Sequence, residues 1–308
     1  MIGFNLNKAK RHFTSVLMEQ FPQREAEQLM RILLEDLFEI DQKRQLMNPD
    51  LRIDEFQHAR LADSVKRLLE GVPVQYVTGK AWFDGLLFEV NESVLIPRPE
   101  TEELVQLAAE ELALKATPES FLSDKSLRIW DVGTGSGCIA VALAKRFPQV
   151  EVKAFDVSEQ ALTTARRNAF NNKVSVDFIC DDVLHPQSEV WHQPVDMVVS
   201  NPPYIHESEK AAMERNVLDH EPHSALFVPD DDPLLFYRQI LTLAKPRLNP
   251  NGAIWFEINE SLGEEMIQLA HEMAFEATIH NDFSGKERFV QVIPKNQQIV
   301  DYSSVLIP

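Results

Sequence analysis

The run Ser200-Asn201-Pro202-Pro203-Tyr204 has residue types that can grip a planar –NH2 group. Asn201 offers a side-chain oxygen and Pro202 a backbone carbonyl, so together they can accept both hydrogens of one nitrogen. The prolines hold that geometry rigid, and Tyr204 can stack on the planar group. Methylation of an amide or amine is the chemistry such a grip serves. An amide nitrogen gives its lone pair to its carbonyl and is a poor nucleophile; two acceptors on its N–H bonds enrich it and aim it. In-line displacement at a sulfonium methyl then needs mainly positioning and electrostatic preorganisation. No strong base is needed beforehand, because the methylated, cationic nitrogen loses its proton readily. Asn201 and Pro202 are the expected catalytic groups, and Asn201, Pro202, Pro203 and Tyr204 the expected substrate contacts.

A second run, Asp131-Val132-Gly133-Thr134-Gly135-Ser136-Gly137, closes an expected strand and opens a helix. Glycines at such a bend let a ligand approach the backbone, and the helix N-terminus presents free N–H groups. The dinucleotide fingerprint needs Gly-x-Gly-x-x-Gly, but Cys138 stands at its third glycine, and the lysine of a P-loop is missing too. Asp156 ends the next strand, roughly 20 residues on, where an acidic side chain can accept from both ribose hydroxyls. Asp182 ends the third strand, near the expected adenine edge, with Asp181 able to take its place. Carboxylates without a phosphate-binding lysine favour a cationic ligand that has ribose and adenine but no phosphate. S-adenosylmethionine fits, with Asn201 at the seam between it and the reacting nitrogen.

Both runs need a parallel sheet to bring them together. Beyond residue 126, strands expected at 127–132, 152–157, 174–180, 195–200, 253–258 and 289–293 alternate with helices at 138–147, 159–169, 234–244 and 262–273. That alternation implies an α/β, doubly wound, mostly parallel sheet with right-handed crossovers, whose ligands bind at the carboxyl ends of the strands. The first 70 or so residues are helical in period: Leu29, Leu33, Leu37 and Ile40, then Phe56, Ala59, Ala62, Val65 and Leu69, recur three or four apart. Asp54 can cap the second of these helices, and Gly71 with Pro73 can stop it. From Val74 to Ile96, short apolar runs around Asp84-Gly85 predict a β-hairpin with Trp82 and Phe83 in its core. Pro97 and Pro99 then force a loop, and Thr101 offers an N-cap for a helix to about Lys115. The expected organisation is a helical bundle over 1–72, a hairpin linker over 73–97 and a catalytic domain over 98–308.

The 308 residues suit about two domains of ~150. Thirty Lys and Arg against 48 Asp and Glu leave a formal charge of −18, which disfavours nucleic acid as a direct partner. Cys138 and Cys180 have no zinc or redox spacing and read as buried small hydrophobes in a reducing cytoplasm. The start has no apolar leader core and nowhere do eighteen apolar residues run together, so neither export nor a membrane span is expected. Asp230-Asp231-Asp232 precedes a helix and is expected to cap it, and the histidines form no ligand-spaced set, so no metal is expected.

On these residues the chain resembles the HemK/PrmC family, the release factor glutamine methyltransferases. The resemblance covers nearly the whole chain: the helical N-terminal domain, the hairpin, Ile96-Pro97-Arg98-Pro99-Glu100-Thr101-Glu102, the glycine turn, Asn201 to Tyr204, and Gly285-Lys286-Glu287-Arg288. Amino-methyltransferases acting on DNA adenine share Asn-Pro-Pro-Tyr; the Pro97 to Glu102 stretch beside a helical domain narrows the likeness to protein glutamine methylation. It implies a seven-stranded S-adenosylmethionine-dependent methyltransferase sheet and an N-terminal bundle that recognises the substrate protein. It also implies methyl transfer from S-adenosylmethionine to the glutamine side chain in the Gly-Gly-Gln motif of peptide chain release factors, in the cytoplasm. Gly133, Thr134, Gly135, Ser136, Gly137, Asp156 and the Asp182-Val183 pair are then cofactor residues. Family members often carry an aromatic residue beside the adenine, where this chain has Val183. Relatives that methylate a ribosomal-protein glutamine are the second expectation, and a DNA adenine methyltransferase, opposed by the charge, the third.

Overall fold

The computed structural model describes residues 3–115 and 126–295, so the last part of the expected catalytic domain, 296–308, lies outside the described residues. Two units divide the chain, one holding the described residues up to 81 with 90–92 and 212–221, the other holding the rest.

The first unit is helical. Strands β1 (Phe4–Asn5) and β2 (Arg52–Ile53) pair antiparallel, and helices α1 (Leu6–Leu17), α2 (Gln23–Phe38), α3 (Gln42–Met47), α4 (Glu55–Leu69) and α5 (Val74–Thr78) make up the body. Asp54 accepts from the Gln57 N–H at 2.7 Å while the Gln57 side chain accepts from the Asp54 N–H at 3.0 Å, a reciprocal box that fixes the start of α4. Just past its end Gly71 takes a φ of +86°, the left-handed conformation that stops a helix. The buried face of α4 is rotated from the expected stripe: Leu61, Ser64, Val65 and Leu68 point inward, whereas Phe56 is 74% exposed. Helix α5 lies in the stretch from Val74 where the sequence predicts the hairpin. Pro73 supplies a fixed φ of −54° at its start, and Tyr76, Val77 and Thr78 are buried.

The hairpin of β3 (Lys80–Phe83) and β4 (Leu86–Glu89) comes next, turned by Asp84 and Gly85, both at positive φ. Phe83 and Phe88 are buried and meet edge-on at 5.9 Å. Trp82 is 66% exposed, which corrects its placement in the core: neighbouring strand residues face opposite ways. Helix α6 runs Pro99–Lys115, so Thr101 lies inside its first turn and is buried rather than capping it. Proline suits a first helical position, which lets the helix begin at Pro99, ahead of the expected cap.

Apart from short 3-10 turns, the remaining elements of the second unit are β5 (Arg128–Val132), α7 (Cys138–Arg146), β6 (Glu151–Asp156), α8 (Glu159–Asn172), β7 (Asp177–Cys180), β8 (Val195–Ser200), the short pair β9 (Ile205–His206) and β10 (Phe227–Val228), α9 (Leu235–Ala244), β11 (Leu248–Glu257), α10 (Gly263–Glu272), β12 (Phe275–Asn281) and β13 (Glu287–Pro294). The seven-stranded sheet has the order β12-β13-β11-β8-β5-β6-β7, with β13 antiparallel to both its neighbours. Strand β12 was not anticipated: Phe275 is its one fully buried residue, so no buried apolar run marks it. Strand β5 lies between β6 and β8, so the order reverses at its carboxyl end, and a crevice opens there.

Two further expectations need correction. Leu234, not an aspartate, occupies the position before α9; Asp232 instead pairs with Arg238 at 2.8 Å, and Asp230 accepts from Ser208. Cys138 is buried, but Cys180 is exposed at the end of edge strand β7. Among the described residues no helix is long and apolar enough to cross a membrane, and no group of three or more His, Cys, Asp or Glu could hold a metal.

Candidate active site

Register brings the two sequence runs together. Val132 pairs with Ser200 across β5 and β8, and with Phe155 across β5 and β6, so Gly133, Asn201 and Asp156 leave three adjacent strands at the same level. The Ser200 hydroxyl donates to the Val132 carbonyl at 2.6 Å and locks that register beneath the crevice. Asp156 in turn pairs with Cys180, which sets Asp181 and Asp182 just beyond it.

A cleft of about 840 Å³, its open mouth included, lies over these ends. Gly133, Gly135, Asp156, Asp181, Asp182 and Val183 line one part of it, and Asn201, Pro202 and Pro203 another. Thr134, Ser136 and Gly137 stand behind the turn rather than on the cleft. Thr134 donates to Asp131, the Ser136 carbonyl accepts from Asn168, and Gly137 opens α7 at a φ of +81°. Tyr204 does not line the cleft either; its ring packs on the core and its hydroxyl donates to Glu257 at 3.1 Å.

The carboxylates differ in what already holds them. Asp156 accepts from the Gly135 N–H at 2.8 Å and the Ser158 N–H at 2.9 Å, yet burial outweighs those bonds and raises its pKa. Asp181 accepts from the Trp191 indole at 2.7 Å and from the Ser188 and Gln187 N–H groups, which commits it to its own loop. Asp182 accepts from the Leu184 N–H and pairs with His185, both at 2.9 Å. Asp131, which the sequence reading quoted but gave no role, is fully buried. Burial pushes it up to about 7 despite donors from Thr134 and the Ala140 N–H, and its Oδ1 has no partner among the described residues.

These features fit S-adenosylmethionine. A Cβ on Gly133 or Gly135 would meet no atom within 4 Å, so the bare backbone leaves open space where a ligand can lie. No lysine or arginine is among the residues lining the cleft, and aspartates are, which suits a cation. Sequence reasoning missed Thr101 as a site residue and missed Glu257 altogether. Glu257 carried a readable signal, since it ends the run Ala253-Ile254-Trp255-Phe256 as the one charge in a buried strand end.

A sheet of this order with a glycine turn at the reversal and an Asn-Pro-Pro-Tyr beside it defines an S-adenosylmethionine-dependent methyltransferase. The hMettl16 catalytic domain, solved in complex with the MAT2A 3′UTR hairpin 6, shares the fold, with a TM-score of 0.52 at 12% identity over 82% of this chain and 87% of that one. Residues 110–222 match the methyltransferase small domain and residues 8–79 the PrmC N-terminal domain. The release factor glutamine methyltransferase of Flavobacterium psychrophilum is 43% identical over 91% of this chain and 96% of its own, and that of Bacteroides thetaiotaomicron 38% over 92% and 99%. The chain belongs to the release factor glutamine methyltransferase family.

Proposed function

We propose that the protein transfers a methyl group from S-adenosylmethionine to the side-chain amide nitrogen of the glutamine in the Gly-Gly-Gln motif of peptide chain release factors. The observation that carries this reading is the register that sets Asn201 and Gly133 side by side at the sheet's reversal. Relatives named for this activity, similar over more than nine-tenths of the chain, support the substrate.

When bound, the cofactor supplies an electrophilic sulfonium methyl. Asp156 accepts from the ribose hydroxyls, and Asp182 rather than the committed Asp181 meets the adenine edge, with Val183 giving it an apolar contact. Gly133 and Gly135 admit the ligand to the backbone, while Thr134, Ser136 and Gly137 set the turn. The Asn201 side-chain oxygen and the Pro202 carbonyl accept the two hydrogens of the glutamine amide, aim its nitrogen and stabilise the charge that develops there. Pro203 keeps that pair rigid, and Tyr204 fixes the far end of the loop. The helical unit, which matches the PrmC N-terminal domain, is assigned to recognition of the substrate protein, with no direct nucleic-acid contact and a cytoplasmic site of action.

The test is peptide mass spectrometry of an unmethylated release factor incubated with the protein and S-adenosylmethionine, with a Gly-Gly-Ala factor, a ribosomal-protein glutamine substrate and DNA as controls. One added methyl on the motif glutamine is expected. Methylation of the ribosomal protein or the DNA alone would replace this reading.

A further inference from the structure

Behind the Asn201 amide runs a chain of hydrogen bonds that decides which way it points. Asn201 Nδ2 donates to Thr101 Oγ1 at 3.1 Å, and the Thr101 hydroxyl donates to Glu257 Oε2 at 2.7 Å. The other carboxylate oxygen, Oε1, accepts from Tyr204 at 3.1 Å. Glu257 is only 1% exposed, so these partners take the place of water.

A hydroxyl has one hydrogen, and a carboxylate can only accept. With its hydrogen committed to Glu257, Thr101 is left to accept, and only the NH2 half of the Asn201 amide can meet it. Asn201 Oδ1 is thereby turned from Thr101 and left to serve the cleft that Asn201 lines. Flipping the amide would set two oxygens against each other with no hydrogen between them.

We propose that Glu257 is a positioning residue of the methyl transfer: ionised, and acting through Thr101, it orients the Asn201 amide so that its oxygen accepts from the substrate nitrogen. Its second oxygen anchors Tyr204, three residues along the same loop. The inference rests on Asn201 being the grip on the reacting amide.

Every charged neighbour bears on that ionisation. Burial drives Glu257 up to about 7, while the Thr101 and Tyr204 hydroxyls and the charge of Arg288 on β13 favour the carboxylate, and Glu100 in the first turn of α6 opposes it. Arg288 is itself held by Asp282 and the Ile258 carbonyl. Tyr237 on α9 donates to the Glu257 backbone carbonyl at 3.0 Å, and burial keeps its phenol neutral. A proton on Glu257 turns it into a donor. Thr101 is then free to donate to Asn201, and the amide loses its fixed direction.

The experiment compares wild type with Thr101→Val, Thr101→Ser and Glu257→Gln in single-turnover methylation of an unmethylated release factor from about pH 6 to about pH 9, spanning the carboxyl titration. Thr101→Val should lower the rate about 100-fold, as a misdirected reactant does, and Thr101→Ser should restore most of it. Cofactor affinity and substrate KM should stay within about twofold, since the lost orientation acts at the chemical step. The wild-type rate should fall on the acid side, and Glu257→Gln should lack that limb. In parallel, the Asn201 side-chain amide resonance, assigned by its loss in Asn201→Ala, should titrate with Glu257 in wild type and stay flat in Glu257→Gln. That arm needs no substrate. A wild-type rate in Thr101→Val, or an Asn201 resonance that does not titrate, would overturn the proposal. A titrating resonance in an enzyme that leaves the motif glutamine unmethylated would overturn the substrate assignment and keep the orienting chain.

Discussion

The side chain of Asn168 completes the backbone of Glu89 on both sides, accepting its N–H at 2.6 Å and donating to its carbonyl at 2.9 Å. The same amide donates to the Ser136 carbonyl at 2.9 Å, so one fully buried residue of α8 ties strand β4 to the glycine turn. Replacing it with alanine strands three backbone groups, the Ser136 carbonyl buried and the two of Glu89 part-buried. Asn168→Ala should cost about 2–4 kcal/mol in urea unfolding, since a buried group without a partner costs about 1–3 and the site can relax in part. A loss below about 1 kcal/mol would show that the tie is redundant.

Asn201→Ala removes the acceptor without touching the glycine turn. Turnover should fall at least about 100-fold, the scale of deleting one preorganised polar group at a reacting centre. Cofactor binding by calorimetry should change little. Turnover close to wild type would end the role given to this amide.

The opposite signature is expected of Asp156→Ala. Losing a charged acceptor for ligand hydroxyls costs about 1.5–3 kcal/mol, or roughly 10- to 150-fold in affinity, read by titration calorimetry. Unchanged affinity would remove Asp156 from the ligand's surroundings.

Gly137 and Gly135 should respond differently to alanine. At Gly137 the φ is +81° and a new Cβ would lie 3.0 Å from the Ala165 Cβ, so Gly137→Ala combines backbone strain with a clash. The strain alone costs about 1–2 kcal/mol, and thermal unfolding should register at least that. At Gly135 a Cβ meets nothing, so Gly135→Ala should lose cofactor affinity and pay only the strain. Equal stability losses with unchanged affinity in Gly135→Ala would contradict this division.

Asp131 and Glu257, both pushed up to about 7 by burial above reference values of 3.8 and 4.5, make stability depend on pH. The folded chain keeps protons that the unfolded chain has released, so their contribution is complete below the unfolded values and is lost as pH rises through 7. Calorimetric Tm of wild type should therefore fall, relative to Glu257→Gln, between about pH 5 and about pH 8. A relative rise would mean that Glu257 is already ionised in the folded chain at low pH.

The glycine turn and Asn201 to Tyr204 were legible because each sits where an apolar strand stops and a loop with distinctive residues begins. Their juxtaposition needed only the strand alternation. Phe56 and Trp82 misled because hydrophobicity marks which residues can be buried, while helix rotation and strand pleat decide which are. Strand β12 escaped because edge pairing is satisfied through the backbone, with one buried side chain in seven residues. The partnership of Thr101 with Glu257 spans 156 positions in sequence, so no local pattern could announce it.

The unequal burial of the two thiols gives the wild-type chain a single chemical handle. Cys138 is enclosed and its thiol is pushed up to about 12, whereas Cys180 is open to solvent at the strand end that precedes Asp181 and Asp182. Partial desolvation and the neighbouring Glu159 raise the Cys180 pKa as well, so alkylation calls for mildly alkaline buffer. A maleimide fluorophore should thus attach at one position without mutagenesis, placing an optical reporter beside the loop assigned to adenine.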